Sequence, residues 1–105
     1  MSEQTWKIVS KLYEIEQDDV ACVDVEGVKI AIVRTAGDQV FALDSQCTHG
    51  RASLADGYVE GLEIECPKHN GRFNVSTGAA VASPARMPLQ TYPCRVSGDC
   101  VEVLF

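Results

Sequence analysis

Between Asp44 and about Pro84, glycines at 50, 57, 61, 71 and 78 cut the chain into short strand-like pieces, and every candidate metal ligand lies inside that stretch. Short apolar runs bounded by turn residues favour antiparallel strands. Tyr58-Val59 and Leu62 to Glu65 can pair across Glu60-Gly61, and Phe73 to Val75 can pair with Ala79 to Val81 across Ser76-Thr77-Gly78. The upstream segment reads as strands over Trp6 to Val9, Ala21 to Val25 and Val28 to Arg34, with a Glu26-Gly27 turn and a Gly37-Asp38 turn leading into Val40 to Leu43. Val28, Ile30 and Ile32 alternate with Lys29, Ala31 and Val33, and Leu12 to Ile15 fits one helical turn. After Pro84 and Pro88, strands return over Gln90 to Val96 and Cys100 to Phe105 and should rejoin the first ones. An all-β single domain over 1-105 is expected, its base formed by 1-43 and 85-105 and its middle, about 44-84, inserted as a smaller subdomain.

Within the insertion, Cys47-Thr48-His49 and Cys66-Pro67-Lys68-His69 are separated by sixteen residues and put one thiol and one imidazole on each of two loops. A structural zinc finger takes both cysteines from one loop and both histidines from one helix, so mixed pairs fit a binuclear centre better. The spacing alone leaves open a zinc-stabilised interaction module and a set of incidental buried side chains. Cys22, Cys94 and Cys100 lie in strand-like runs and read as small core hydrophobes. Trp6, Tyr13, Tyr58 and Tyr92 read as packing residues, and Asp56, Glu60, Glu63 and Glu65 as a solvated hairpin face.

The formal net charge of -6 disfavours nucleic acid and anionic membrane surfaces, because phosphate binding needs a basic face. An acidic chain can be steered towards a basic partner. Met1-Ser2-Glu3-Gln4-Thr5-Trp6-Lys7 has neither a basic n-region nor an apolar stretch after it, so a cytoplasmic location is expected. Five cysteines, an odd number, also suit metal ligation in a reducing compartment better than a full disulfide framework.

Cys47-Thr48-His49-Gly50 and Cys66-Pro67-Lys68-His69-Asn70-Gly71-Arg72-Phe73 resemble the Rieske family, and closely resemble the small ferredoxins of bacterial aromatic-ring-hydroxylating dioxygenase systems, over essentially the whole chain. The resemblance implies stacked antiparallel sheets with one Rieske-type [2Fe-2S] cluster at a tip. Cys47 and Cys66 would hold the inner iron and His49 and His69 the outer one. Ser83-Pro84-Ala85 looks like the family's proline-containing loop over the cluster. Respiratory members add a loop disulfide where Ala52 and Lys68 stand here, and a serine and a tyrosine hydroxyl where Gly71 and Phe73 stand here. A potential near the low end of the Rieske range, roughly -150 mV, follows from the missing donors.

On this reading Arg51, Asn70, Arg72 and Pro84 lie closer to the cluster than the acidic hairpin face does and are the expected docking or cluster-shielding residues. Gly50 and Gly71 are expected to let the loop backbones turn tightly. The chain has only two histidines, both committed to the cluster on this reading, and no G-x-G-x-x-G turn, so neither a mononuclear iron site nor dinucleotide binding is expected. The role implied is that of an electron carrier, not an enzyme, between a flavin-dependent NADH-linked ferredoxin reductase and a terminal oxygenase. A Rieske accessory subunit of another redox system, such as nitrite reductase, is the alternative.

Overall fold

Ile30, Ala31, Ile32 and Val33 are consecutive, and each is completely buried at 0% exposure. Neighbouring side chains on a strand point to opposite faces, so a run like this must be covered on both sides. A computed structural model, which describes residues 4–46, 53–67, 70–83 and 85–105, shows how. The run lies in β3 (Val28–Arg34), which pairs antiparallel with β2 (Asp19–Val25) and β4 (Val40–Asp44); β9 (Thr91–Tyr92) completes a sheet of order β2-β3-β4-β9.

One face of that sheet contributes Ile30, Ile32, Val40 and Ala42 to a core shared with Ile15, Val101 and Val103. The partner here is a second sheet, β1 (Trp6–Lys11), β11 (Cys100–Leu104) and β10 (Cys94–Ser97) in the order β1-β11-β10. The last strands therefore rejoin the first, as the sequence predicts. The opposite face sends Val20, Ala31, Val33 and Leu43 into another core with Leu54, Ile64, Cys66, Phe73 and Val75. Most of those partners belong to or adjoin a third sheet, β5 (Tyr58–Glu60), β6 (Glu63–Glu65), β7 (Arg72–Asn74) and β8 (Ala80–Ala82) in sequential order. The architecture is three stacked antiparallel layers with apolar seams on both sides of the middle one.

Local chemistry sets the turns. Val25 pairs with Val28 across Glu26 (φ 51°) and Gly27 (φ 85°), two left-handed residues as a type I′ hairpin turn requires, and Asp24 Oδ1 accepts from Gly27 N–H at 2.9 Å. The predicted helical turn is a 3-10 turn over Leu12–Glu14. The β7–β8 hairpin ends one residue earlier than predicted. Asn74 Oδ1 accepts from Ser76 N–H, Ser76 Oγ–H and Thr77 N–H, an Asx turn that diverts the chain after Asn74. Val75 is left buried in the turn, where its N–H donates to Leu62 O.

Several packing expectations need correction. Cys22 is exposed, because β2 is a sheet edge and its position there is uncovered. Tyr13, on the 3-10 turn, and Tyr58, on the edge strand β5, are 71% and 67% exposed. Cys94 and Cys100 are half-buried, the latter accepting from Lys11 Nζ at 3.3 Å. Trp6 carries the Arg95 guanidinium over its ring at 3.9 Å, and Tyr92 packs on Phe105 and donates to Asp44 Oδ1 at 2.7 Å. Among the described residues no helix is long and apolar enough to cross a membrane.

Gly78, at φ 79°, ties the β7–β8 turn to the segment before β9: its N–H donates to Asn74 O and its carbonyl accepts from Leu89 N–H. A Cβ there would run into the Leu89 carbonyl oxygen, whereas nothing lies near a Cβ on Gly37. Gly78→Ala should cost about 1–3 kcal/mol in urea unfolding, while Gly37→Ala changes stability by less than about 0.5 kcal/mol. A second expectation concerns alkali. Burial pushes the Cys94 thiol up to about 12, and burial with the Asp44 hydrogen bond pushes the Tyr92 phenol up to about 12, from ordinary values of 9.0 and 10.0. Both are acids kept neutral by the fold, so their stabilisation is complete below pH 9 and is lost as pH rises through 12. Thermal midpoints measured across that window should fall, and a Cys94→Ala/Tyr92→Phe double variant should show a shallower fall.

Candidate metal centre

The first expected ligand loop is tied off at both ends. Gln46 and Ser53 form an isolated antiparallel bridge across residues 47–52. Ser45 and Ser53 hydroxyls lie 3.0 Å apart, and Ser45 is 3% exposed. Leu54 N–H donates to Ser45 O at 2.7 Å, Ser45 N–H donates to Lys29 O at 3.1 Å, and Ser53 Oγ accepts from Ala55 N–H at 3.2 Å to cap a 3-10 turn over Leu54–Asp56. These contacts fasten the loop to β3 on one side and to the Cys66-containing core, through Leu54, on the other. Ser45 and Ser53 were not among the predicted site residues, although Ser53-Leu54-Ala55-Asp56 has the S-x-x-D pattern of a capped helical start.

The second expected loop is the β6–β7 connection. Glu65 pairs with Arg72, and Cys66 N–H donates to Gly71 O at 2.7 Å, so the hairpin pairing runs on to Cys66 and Gly71. Strand alternation turns Ile64 and Cys66 inward and Glu65 outward, and Cys66 is 0% exposed with a free thiol. Gly71 is buried, but the left-handed residue is its neighbour Asn70, at φ 60°. Asparagine tolerates that conformation better than most residues. Gly57 keeps β5 close against this site, since a Cβ there would collide with the carbonyl oxygen of Glu65, the residue before Cys66.

A third segment reaches the same core. Ala85 N–H donates to Ala82 O at 3.1 Å, and Ala85 is buried in the cluster that holds Cys66. Cys47, His49, Arg51, His69 and Pro84 themselves lie outside the described residues. Of the predicted site residues, Cys66, Asn70 and Arg72 are described, and they sit on one hairpin end.

The acidic hairpin face is not simply solvated. Arg72 Nε donates to Glu65 Oε1 at 3.1 Å and Nη1 to Glu63 Oε1 at 3.3 Å, with Glu60 at 4.0 Å. Hydrogen bonding to Glu63 and then Glu65 raises the guanidinium pKa further. Three carboxylates around one cation leave this face net acidic. The donor chemistry suits an iron–sulfur centre: a buried, unbridged thiol at the base of a tight loop is a soft ligand shielded from water, and neither Gly71 nor Phe73 brings a hydroxyl to it.

The family described as Rieske [2Fe-2S] domain matches residues 5–93. The chain is 43% identical over 100 residues to the ferredoxin component of a naphthalene 1,2-dioxygenase system from Pseudomonas aeruginosa, covering 95% of each. Among solved structures, the ferredoxin of carbazole 1,9a-dioxygenase from Nocardioides aromaticivorans IC177 superposes with a TM-score of 0.88 at 36% identity over 97% of each chain. A chain in the complex of reduced oxygenase and oxidized ferredoxin in carbazole 1,9a-dioxygenase gives 0.86 at 36% identity, over 94% of this chain and 92% of that one. A nitrite reductase small subunit structure from Mycobacterium tuberculosis, at 18% identity and a TM-score of 0.88, shares the fold alone. The expected stacked-sheet fold, the single Rieske-type [2Fe-2S] cluster and the carrier class all agree with these matches, and the chain belongs to the Rieske [2Fe-2S] domain family.

Proposed function

We propose that this chain is the ferredoxin of an aromatic-ring-hydroxylating dioxygenase system, with Cys47 and Cys66 holding one iron of its cluster and His49 and His69 the other. It accepts one electron at a time from a flavin-dependent, NADH-linked ferredoxin reductase and passes it to a terminal oxygenase. The observation that carries the reading is the β6–β7 loop, where a fully buried free Cys66 stands beside hydroxyl-free positions 71 and 73. A cluster bound there supplies one-electron redox chemistry; the protein's part is to ligate it, exclude water and present one edge to partners.

Ligation by this set leaves no histidine on the chain for a two-histidine-one-carboxylate iron site, which agrees with a carrier and not a catalyst. Asn70, exposed beside the second loop, and Arg72, on the adjoining strand, are docking residues on this reading together with Arg51 and Pro84. The net acidic face around Arg72 would steer a partner with a basic patch. The substrate of the downstream oxygenase is an aromatic ring, by analogy with the relatives' naphthalene, and is chosen by that oxygenase.

Three measurements test the reading. Protein-film voltammetry should give a midpoint of roughly -150 mV, because hydroxyl donors to the cluster sulfurs are absent; a value above zero would overturn the donor account. Replacing an imidazole by a thiolate, as in His49→Cys, should move any assembled cluster towards roughly -400 mV and change its reduced-state EPR spectrum. An unchanged spectrum would remove His49 from the ligand set. Stopped-flow mixing with an NADH-charged flavin reductase should bleach the wild-type visible bands, and adding a naphthalene-type oxygenase should restore them.

A further inference from the structure

We infer that Ser45 and Ser53 are positioning residues for the cluster, acting together as a side-chain clamp that sets the geometry of the loop between them. The inference rests on the proposed ligation by Cys47 and His49, which lie between the two serines in sequence. Four contacts converge on the pair: the hydroxyls at 3.0 Å, the Gln46–Ser53 bridge, Leu54 N–H on Ser45 O, and Ser45 N–H on Lys29 O. Ser45 is almost fully buried at 3%. The hydroxyl pair joins the two residues that flank the loop, and the Ser45 N–H bond to Lys29 O ties them to β3.

The second loop is closed differently, by the backbone bond from Cys66 N–H to Gly71 O. No side-chain substitution removes that bond directly, whereas at the first loop a side-chain hydroxyl pair adds to the Gln46–Ser53 bridge and the backbone bonds of Ser45. The two halves of the proposed ligand set should therefore respond unequally to mutation. Weakening the clamp should loosen the Cys47–His49 half while leaving the Cys66 half in place.

The test uses holo-protein and a destabilised control, Ile32→Val, whose side chain faces the other core. The Ser45→Ala/Ser53→Ala variant removes both hydroxyls, so neither is left buried without a partner. It should release iron to a chelator about tenfold faster than the control, in line with the cost of losing groups that orient metal ligands, and should show shifted reduced-state EPR g values. Release at the control rate with a native EPR spectrum would overturn the clamp. If the double variant does not accumulate as holo-protein, Ser53→Ala and Ser53→Thr decide. A perturbed alanine variant beside a native threonine variant supports the clamp, and two native spectra overturn it. Cys47→Ala belongs in the same series: a native Rieske spectrum there would overturn the ligand reading itself, whereas cluster loss there beside a native serine double variant removes only the clamp.

Discussion

The middle of β3 is the part of this protein on which everything else depends. Four consecutive side chains without exposed surface require apolar cover above and below, and that requirement organises three sheets into three layers. Ile30 and Ile32 recruit the terminal strands; Ala31 and Val33 recruit the β5–β8 sheet. Fully burying an aliphatic side chain is worth about 1.5–3 kcal/mol, so the strand anchors both seams strongly. The small residue in the run, Ala31, lies on the side where Phe73 and Leu54 must fit.

The site inherits its rigidity from this arrangement. Cys66 follows β6 by one residue and is part of the same packed cluster as Ala31 and Val33, so its sulfur is positioned by core packing and not by the loop alone. Charge is handled on the outer surface of the same hairpin, where Arg72 gathers Glu63 and Glu65. Apolar packing behind and a net acidic, ion-paired surface in front leave the thiol in a dry setting beside a surface that is still strongly hydrated.

Much of this was legible in the sequence. Glycine and proline punctuation marked most strand boundaries, and Cys66-Pro67-Lys68-His69 marked a loop. What was not legible depended on neighbours. The alternation over Val28 to Val33 marked a strand but not its cover from Ile30 to Val33, because a sequence pattern cannot say whether a moderately apolar face meets solvent or another sheet. Cys22 and Tyr58 were misread for the converse reason: each is apolar enough for a core but lies on an edge strand whose outer positions have nothing opposite. Ser45 and Ser53 passed unnoticed because a hydroxyl pair eight residues apart has no periodic signature, although the capping pattern after Ser53 was present.

The cluster around Cys66 draws Val20, Ala31, Val33 and Leu43 from the β2–β3–β4 sheet and Leu54, Ile64, Phe73 and Val75 from the residues in and around the β5–β8 sheet. A transplant of the β5–β8 sheet and its loops into another scaffold would carry only one side of that seam. Its new host would have to supply a sheet presenting small and branched residues in the same places, or the ligand hairpin would expose Phe73 and Ile64 to water. Portability of this redox module is therefore limited less by its ligands than by the sheet it leaves behind.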